Sequence, residues 1–411
     1  MRVIDLDQLG SILPGLGGAD PRVVVSGNFA TPRTVLGTVD ACLETFRLCL
    51  LNAQAGIPDR DGITLETVFV GEGMRRSPRL RYVPCRLSLA PLLHRTTLRP
   101  DIVVVHTSRP HEGSVSLGIE VNVLPAAIEA ARMAGGTVIA QANVRMPYTF
   151  GDAVLPLADV DYLVEVDEPL DSPSPVPIDE VSREIGDRVA ARVKDGSALQ
   201  LGIGAVPDAT LHALVSRRGL RLWSEMFSDG LLALDRAGAL DTGWPLVASF
   251  LFGSPELYAW VDRNPRVRML RTERTNDPAA IARNPQVVSV NTAIQVDLFA
   301  QANASRIKNR IYSGFGGQTD FIVGALHSPG GQAIIALRSW HRKAHVSTIV
   351  PLIDEPLTSF QHSAVITENG VAEIWGNSQT EQAEQLIESC AHPDVREELW
   401  EEAAALGLTA R

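Results

Sequence analysis

LPAAIEAARMAGGTVIA, residues 124–140, reads as a helix running straight into a strand. Pro125 stands near the start of an apolar helical pattern, and Gly135 and Gly136 stand past its end, which is where each residue type belongs. The run at 137–140 that follows is strand-like, and so are the runs at 23–25, 68–70 and 102–105. A second helical pattern covers 34–51. Strand, helix and strand in repetition argue for a parallel sheet covered by helices.

Working outward, the pattern breaks at EPLDSPSPVP, residues 168–177, where four prolines in ten residues exclude both a helix and a central strand. A domain boundary is expected there, giving a first domain over 1–177 and a second over 178–411. The second opens with a helix at 178–193. Apolar strand-like runs follow at 198–203, 246–252, 287–289, 333–337, 347–351 and 364–367. The last forty residues read as helical, with Asp394 and Glu397 in the spacing of a capping-box variant. The expected fold class is α/β, with two open-sheet α/β domains of mainly parallel strands covered by helices.

A chain of 411 residues exceeds one ordinary core and agrees with two domains. Hydrophobic residues make up 45% and charged residues 21%, the balance of a globular protein. A formal net charge of -11 argues against general nucleic-acid binding, which needs a concentrated basic face. The four cysteines, Cys42, Cys49, Cys85 and Cys390, form no CxxC pair or zinc spacing, and a reducing compartment suits them. Cys42 and Cys49 are seven apart in the helix-like stretch and read as buried packing. No apolar run approaches a membrane span, and the acidic N-terminus is unlike a signal peptide. The expected location is cytoplasmic, and no metal site is expected.

Several stretches could carry chemistry. In LQLGIGAVPDA (199–209) a strand runs into Gly202 and Gly204, and Pro207 opens a helix ending near Gly219. Glycines admit a ligand close to the backbone, and a helix start attracts an anion. A tight strand–helix turn is the alternative. SGFGGQTDF (313–321) carries Gly314, Gly316 and Gly317 before Asp320, and can present several N–H groups to a phosphate or an oxyanion. RSWHRKAH (338–345) gathers Arg338, His341, Arg342, Lys343 and His345, either a phosphate-binding loop or a solvated surface. Glu225 in SEMFSDG (224–230) and Glu368 in TENGVA (367–372) stand at strand ends, where α/β proteins place active sites, although a cap or an ion pair explains a carboxylate there equally well. Asn143 and Arg145 in QANVRMPYTFG (141–151) have the same standing. His106, ending a hydrophobic strand, reads as a structural histidine.

Taken in order, eleven segments resemble the acetyl-CoA hydrolase/CoA-transferase family, whose members include acetate and 4-hydroxybutyrate CoA-transferases. They are GNFATP (27–32), SRPHEGSVSLG (108–118), QANVRMPYTFG, LQLGIGAVPDA, SEMFSDG, GSPELY (253–258), VNTAIQVDL (290–298), SGFGGQTDF, VSTIVP (346–351), TENGVA and AHPDVREEL (391–399). The resemblance spans roughly residues 20–405. It implies two related α/β domains, acyl-CoA as substrate with no tightly bound cofactor, and a homodimer or higher homo-oligomer. It also implies a glutamate nucleophile in a segment like N-[ST]-A-[IL]-E-V-D, forming first a mixed anhydride and then a glutamyl-CoA thioester in ping-pong fashion.

The chain departs from that pattern where it matters most. Gln295 stands where the glutamate is expected. A carboxamide is neutral and weakly nucleophilic, so it forms no such anhydride. Trp223 replaces a histidine often found before SEM, and Arg109, Pro110 and His111 replace the usual PPD. Three readings follow: transfer of an acyl group or CoA to a small acceptor without a glutamyl-CoA intermediate; hydrolysis with water as acceptor and Glu225, Asp297 or Glu368 as base; and a catalytically inactive CoA-binding homologue. In the active readings Gln295 faces the thioester, Gly316 and Gly317 donate to its carbonyl, Gly202, Gly204 and Gly314 border the site, Asn143 contributes a polar group, and Arg342 and Lys343 meet CoA phosphates. Trp223 and Phe315 shape an acyl pocket or simply pack.

Overall fold

The computed structural model describes residues 1–172 and 177–409. The expected break at 168–177 falls partly on 173–176, which lie outside the described residues. The chain divides into two compact units. The first comprises the described residues of 1–173, 245–275 and 311–316; the second comprises those of 174–244, 276–310 and 317–411. The division is therefore not one cut. Residues 245–275 join the first unit because strand Val267–Met269 pairs in parallel with both Leu246–Ala248 and Phe150–Gly151. Residues 311–316 join it because the Val70 N–H donates to the Ser313 carbonyl at 2.7 Å. Such long-range pairings leave no local composition signal.

The first unit is built on an eight-stranded sheet in the order Arg2–Val3, Tyr162–Val166, Thr137–Asn143, Ile102–Thr107, Arg22–Val25, Phe46–Cys49, Ile63–Thr67, Leu80–Tyr82. Every pairing in it is parallel. The central strand Ile102–Thr107 is buried at all six positions, which is why IVVV reads as an unbroken apolar run. Helix Leu124–Ala134 forms with the bounds its sequence announces, and Gly135 ends it at φ 76, the left-handed cap glycine tolerates best. Its buried face is Leu124, Ala126, Ala127, Ile128, Ala130 and Ala131. Burying Ile128 contributes about 1.5–3 kcal/mol.

Two expectations in this unit fail. The helix expected at 34–51 ends at Cys42, and Phe46–Cys49 is a strand. Cys42 and Cys49 therefore belong to different elements. Phe46, Leu48 and Leu50 alternate with period two, and that signal outweighs helix propensity once neighbours supply the ladder. The strand expected at 68–70 lies earlier, at Ile63–Thr67. Its fourth residue is Glu66, fully buried and bound by Arg22 at 2.6 Å and by Arg81. A buried ion pair inside a strand hides the strand from a hydropathy reading.

The second unit carries a six-stranded sheet ordered Arg221–Leu222, Ala198–Leu201, Val287–Asn291, Gln332–Ala336, Ala364–Ile366, Val371–Glu373. All its pairings are parallel except the last. A small three-stranded sheet pairs Gln295–Asp297 antiparallel with Ala302–Asn303 and parallel with Ile349–Val350. The helix expected at 178–193 runs Glu180–Arg192, capped by Asp179, whose carboxylate accepts from the Ser182 N–H at 3.0 Å. Helix Ala205–Ala213 starts two residues before Pro207, which the first turn tolerates because an N–H at that position would have no helical partner. The expected Asp394 cap is not made: the His392 ring accepts the Asp394 N–H, and helix Arg396–Ala405 starts from a short 3₁₀ turn. Among the described residues no helix is long and apolar enough to cross a membrane.

Candidate active site

In the second unit the strands Ala198–Leu201 and Val287–Asn291 end in a polar cluster. The Ser289 hydroxyl donates to Gln200 Oε1 at 2.6 Å, and the Asn291 amide donates to Ser289 Oγ at 2.9 Å. The carboxyl ends of parallel strands are where open α/β sheets hold ligands. Just past the first strand, Gly202 has nothing within 4 Å of where a Cβ would stand. Gly204 likewise faces open space, and its φ of 118 is closed to most other residues. The backbone here is approachable from outside.

Glu225 follows strand Arg221–Leu222 and is half-buried. The Asn276 amide donates to its Oε2 at 2.8 Å. Gly317 packs so close that a Cβ there would overlap both the Glu225 carboxylate and the Asn276 amide. Gly317 is the residue that starts helix Gln318–His327, so the carboxylate lies against the open end of that helix. Burial pushes the Glu225 carboxyl up to about 7; the Asn276 hydrogen bond opposes this and the charge of buried Asp320 adds to it. A carboxyl in that range exchanges a proton near neutral pH, as an acid–base catalyst requires. The Gln318 side chain donates to the Thr292 carbonyl at 3.4 Å, tying the same helix start to the segment that leads into Gln295. Gln295 is half-buried on the small sheet, opposite Asn303.

The other two carboxylates named from the sequence are held differently. Asp297 Oδ1 accepts from the N–H groups of Phe299 and Gln301, and Oδ2 from that of Ile353. It clamps a turn. Glu368 accepts from the Ser339 N–H at 2.9 Å and the Ser339 hydroxyl at 2.7 Å, while its carbonyl takes an Arg188 N–H. It latches two loops together.

The basic loop is a hairpin, Trp340–His341 against Val346–Ser347. Arg338 is drawn out of it: two of its N–H groups grip Asp179 at 2.7 and 2.8 Å and hold that carboxyl well below its usual range, with the Ser182 N–H helping. Arg342, with 68% of its side chain exposed, reaches Asp179 at only 3.7 Å, and Lys343 is exposed beside it.

In the first unit Asn143 is fully buried and saturated. Its amide donates to His106 Nε2 and the Glu168 carbonyl, and its oxygen accepts from the Arg145 N–H at 3.0 Å. His106 Nδ1 faces the Ala30 carbonyl, and burial lowers its pKa to about 4. This is a network of neutral groups fastening strands, in keeping with a structural histidine. Gly314 and Gly316 lie in this unit against Val68 and Phe69. Phe315, between them, is half-buried, and Trp223 in the second unit packs partly against the core. The buried thiols of Cys49 and Cys390 are both pushed up to about 12 and are poor nucleophiles.

The second unit thus assembles Glu225 and Gly317 as a contact. The sequence reading missed their third member, Asn276, and also missed the Gln200–Ser289–Asn291 cluster. The only local hint of Asn276 is its place before the Asp277 cap of helix Pro278–Ala282.

Comparison with known proteins matches residues 58–173 to the acetyl-CoA hydrolase/transferase N-terminal domain and residues 253–403 to the C-terminal domain of the same family. The chain is 38% identical over 350 residues to the 4-hydroxybutyrate coenzyme A transferase of Clostridium kluyveri, spanning 82% of this chain and 80% of that one. It is 35% identical over 404 residues to the succinyl-CoA:acetate/propanoyl-CoA:succinate CoA transferase of Fasciola hepatica, spanning 92% and 83%. Among solved structures, RipA from Yersinia pestis superposes with a TM-score of 0.92 at 28% identity, covering 99% of this chain and 98% of that one.

Proposed function

Because this chain belongs to the acetyl-CoA hydrolase/transferase family, we propose that it is an enzyme that takes the acyl group of a short acyl-CoA thioester and passes it directly to a small acceptor, with Glu225 as the proton carrier. The observation that carries this reading is the Glu225 carboxyl, half-buried, held by Asn276 and Gly317, with its pKa raised to about 7. Gln295 supports the absence of a covalent relay, since a carboxamide neither attacks a thioester usefully nor survives as an acyl carrier.

In the proposed step an acceptor that carries a proton, water being the simplest, gives that proton to the Glu225 carboxylate as its oxygen bonds to the thioester carbon. The carbonyl oxygen becomes an oxyanion, held by N–H groups at the start of helix Gln318–His327 and by the Gln295 amide. The carbon–sulfur bond then breaks. The thiolate leaves as CoA, protonated by Glu225, and the carboxylate is restored. CoA enters as a substrate rather than a resident cofactor, with Arg342 and Lys343 as contacts for its phosphates. Four free thiols support a cytoplasmic setting.

The test is an acyl-CoA panel in ¹⁸O-water, with and without acetate or succinate, following CoA species and the protein by mass spectrometry. The expected result is thiol release that needs no carboxylate, with ¹⁸O in the released acid and none in the protein. A protein carboxylate that gains ¹⁸O during turnover would establish an anhydride route and overturn direct attack. Bound CoA with no turnover would leave a binding protein.

A further inference from the structure

A groove of about 340 Å³ opens on the surface of the first unit. It runs between the loop at 144–147, the segment at 169–170 and helix Pro255–Val261 with Asp262 just past it. All of its walls belong to the first unit. Its volume suits a small molecule.

The fold itself holds these walls in place. The Tyr258 hydroxyl donates to the Asp171 carbonyl at 2.9 Å, and the Ser172 hydroxyl donates to the Gly253 carbonyl at 3.0 Å. Those bonds tie the segment after Pro169 to the helix and to the residues that lead into it. Three of the wall residues, Pro147, Pro169 and Pro255, have φ locked by their rings. A preformed wall lowers the ordering cost of binding. Met146, 4% exposed, and Tyr258, 6% exposed, give the groove an apolar floor.

Two opposite charges line this apolar ground, and both residues are exposed. The Arg145 N–H donates to Asn143 Oδ1 at 3.0 Å and its Nε–H to Asp167 Oδ1 at 2.6 Å. Asp167 thus orients the guanidinium through one edge. Among the described residues the two Nη groups of Arg145 have no partner. Asp262 Oδ1 accepts the Tyr148 N–H at 2.7 Å, and Oδ2 has no partner among the described residues. Each charge is therefore fixed by its neighbours and keeps bonding capacity to spare. A guanidinium only donates and a carboxylate only accepts. A ligand that satisfies both brings a carboxylate to the first and an ammonium to the second, with an apolar body between them and the floor.

We propose that this groove binds a free α-amino acid with an apolar side chain, its carboxylate on Arg145 and its ammonium on Asp262. The inference goes beyond the acyl-CoA reading and uses none of its residues.

The experiment is calorimetric titration of the native chain, Arg145→Gln and Asp262→Asn with three probes. They are leucine, 4-methylpentanoate, which lacks the ammonium, and 3-methylbutylamine, which lacks the carboxylate. Asp262→Asn keeps an oxygen for the Tyr148 N–H, and the melting temperature of each variant verifies its fold. Leucine is expected to bind the native chain ~10-fold or more tightly than either analogue, because each analogue gives up one charge-assisted contact. Arg145→Gln is expected to weaken leucine by ~10-fold while 3-methylbutylamine stays within ~2-fold of its native affinity. Asp262→Asn is expected to weaken leucine by ~10-fold while 4-methylpentanoate stays within ~2-fold. No saturable leucine binding overturns the proposal. So do analogues that bind as tightly as leucine, and so does an equal loss of all three probes in a folded variant.

Discussion

Glu225 and Glu368 occupy similar places in the sequence, each a carboxylate in a short polar segment after an apolar run in the second unit, and both are half-buried. Their surroundings differ. Glu368 has both oxygens taken by Ser339, one by its N–H and one by its hydroxyl. Those bonds turn the side chain into a fastening. Glu225 has one side-chain donor, Asn276, together with a buried acidic neighbour, Asp320, and its pKa rises to about 7. The number and kind of donors around a carboxylate, rather than its residue type or place at a strand end, separate a candidate catalyst from a structural link.

The sharpest way to break this comparison is Glu225→Gln, which keeps the shape and removes the base. The expected result is a ~100-fold or larger fall in kcat/KM with CoA binding retained, in the range that general acid–base catalysts contribute. In the native chain kcat/KM should rise with pH through about 7, as the carboxylate forms. A flat profile over pH 6–8 would remove Glu225 from the reaction.

Gln295→Glu addresses the neighbouring site. It is expected to create carboxylate-dependent CoA transfer, ~10-fold or more above the native level, with a CoA adduct on the protein detectable by mass. No gain in a folded variant that still binds CoA would mean that the site around position 295 has diverged as well.

Glu368→Gln tests the other half of the comparison. It replaces a charged acceptor by a neutral amide and weakens both Ser339 bonds, so the cost falls on stability, about 1–3 kcal/mol in denaturant unfolding, with kcat/KM within ~3-fold of native. A large loss of turnover at unchanged stability would make Glu368 a catalytic residue after all.

The smallest effect is on stability against pH. The Glu225 pKa is raised in the fold, from an ordinary 4.5 to about 7, so the protonated form is the one the fold prefers. Its stabilising contribution is complete below about pH 4.5 and is lost as pH rises through about 7. Relative to native, Glu225→Gln should therefore melt at a higher temperature at pH 8, with the advantage shrinking toward pH 5. The opposite trend would mean that the carboxylate is better solvated than its burial implies.

Parts of this molecule were readable from local sequence and parts were not. Helix Leu124–Ala134 was readable because Pro125, Gly135 and its apolar stripe all agree. Strand Ile63–Thr67 was not, because Arg22 comes from another strand to neutralise its Glu66. Phe46–Cys49 was absorbed into a helix because residues 33–42 just before it are helical and the intervening turn has no glycine or proline. At the site, Gly317 and Glu225 were legible as candidates. Asn276, which joins them, stands 51 positions from Glu225 and had no pattern of its own.

By itself the sequence determined the α/β class, the strand–helix rhythm, the ordered motifs of the family and the presence of glutamine at 295. Those are properties of residue type and spacing, and they survive without coordinates. Only the tertiary structure showed that Asp297 clamps a turn, that Glu368 is held by Ser339 and that Glu225 lies against Asn276 and Gly317. It also showed that Arg338 serves Asp179 and that Asn143 is committed to His106 and Glu168. Burial and hydrogen-bond satisfaction depend on atoms brought together from distant parts of the chain, and a pKa is set by that company.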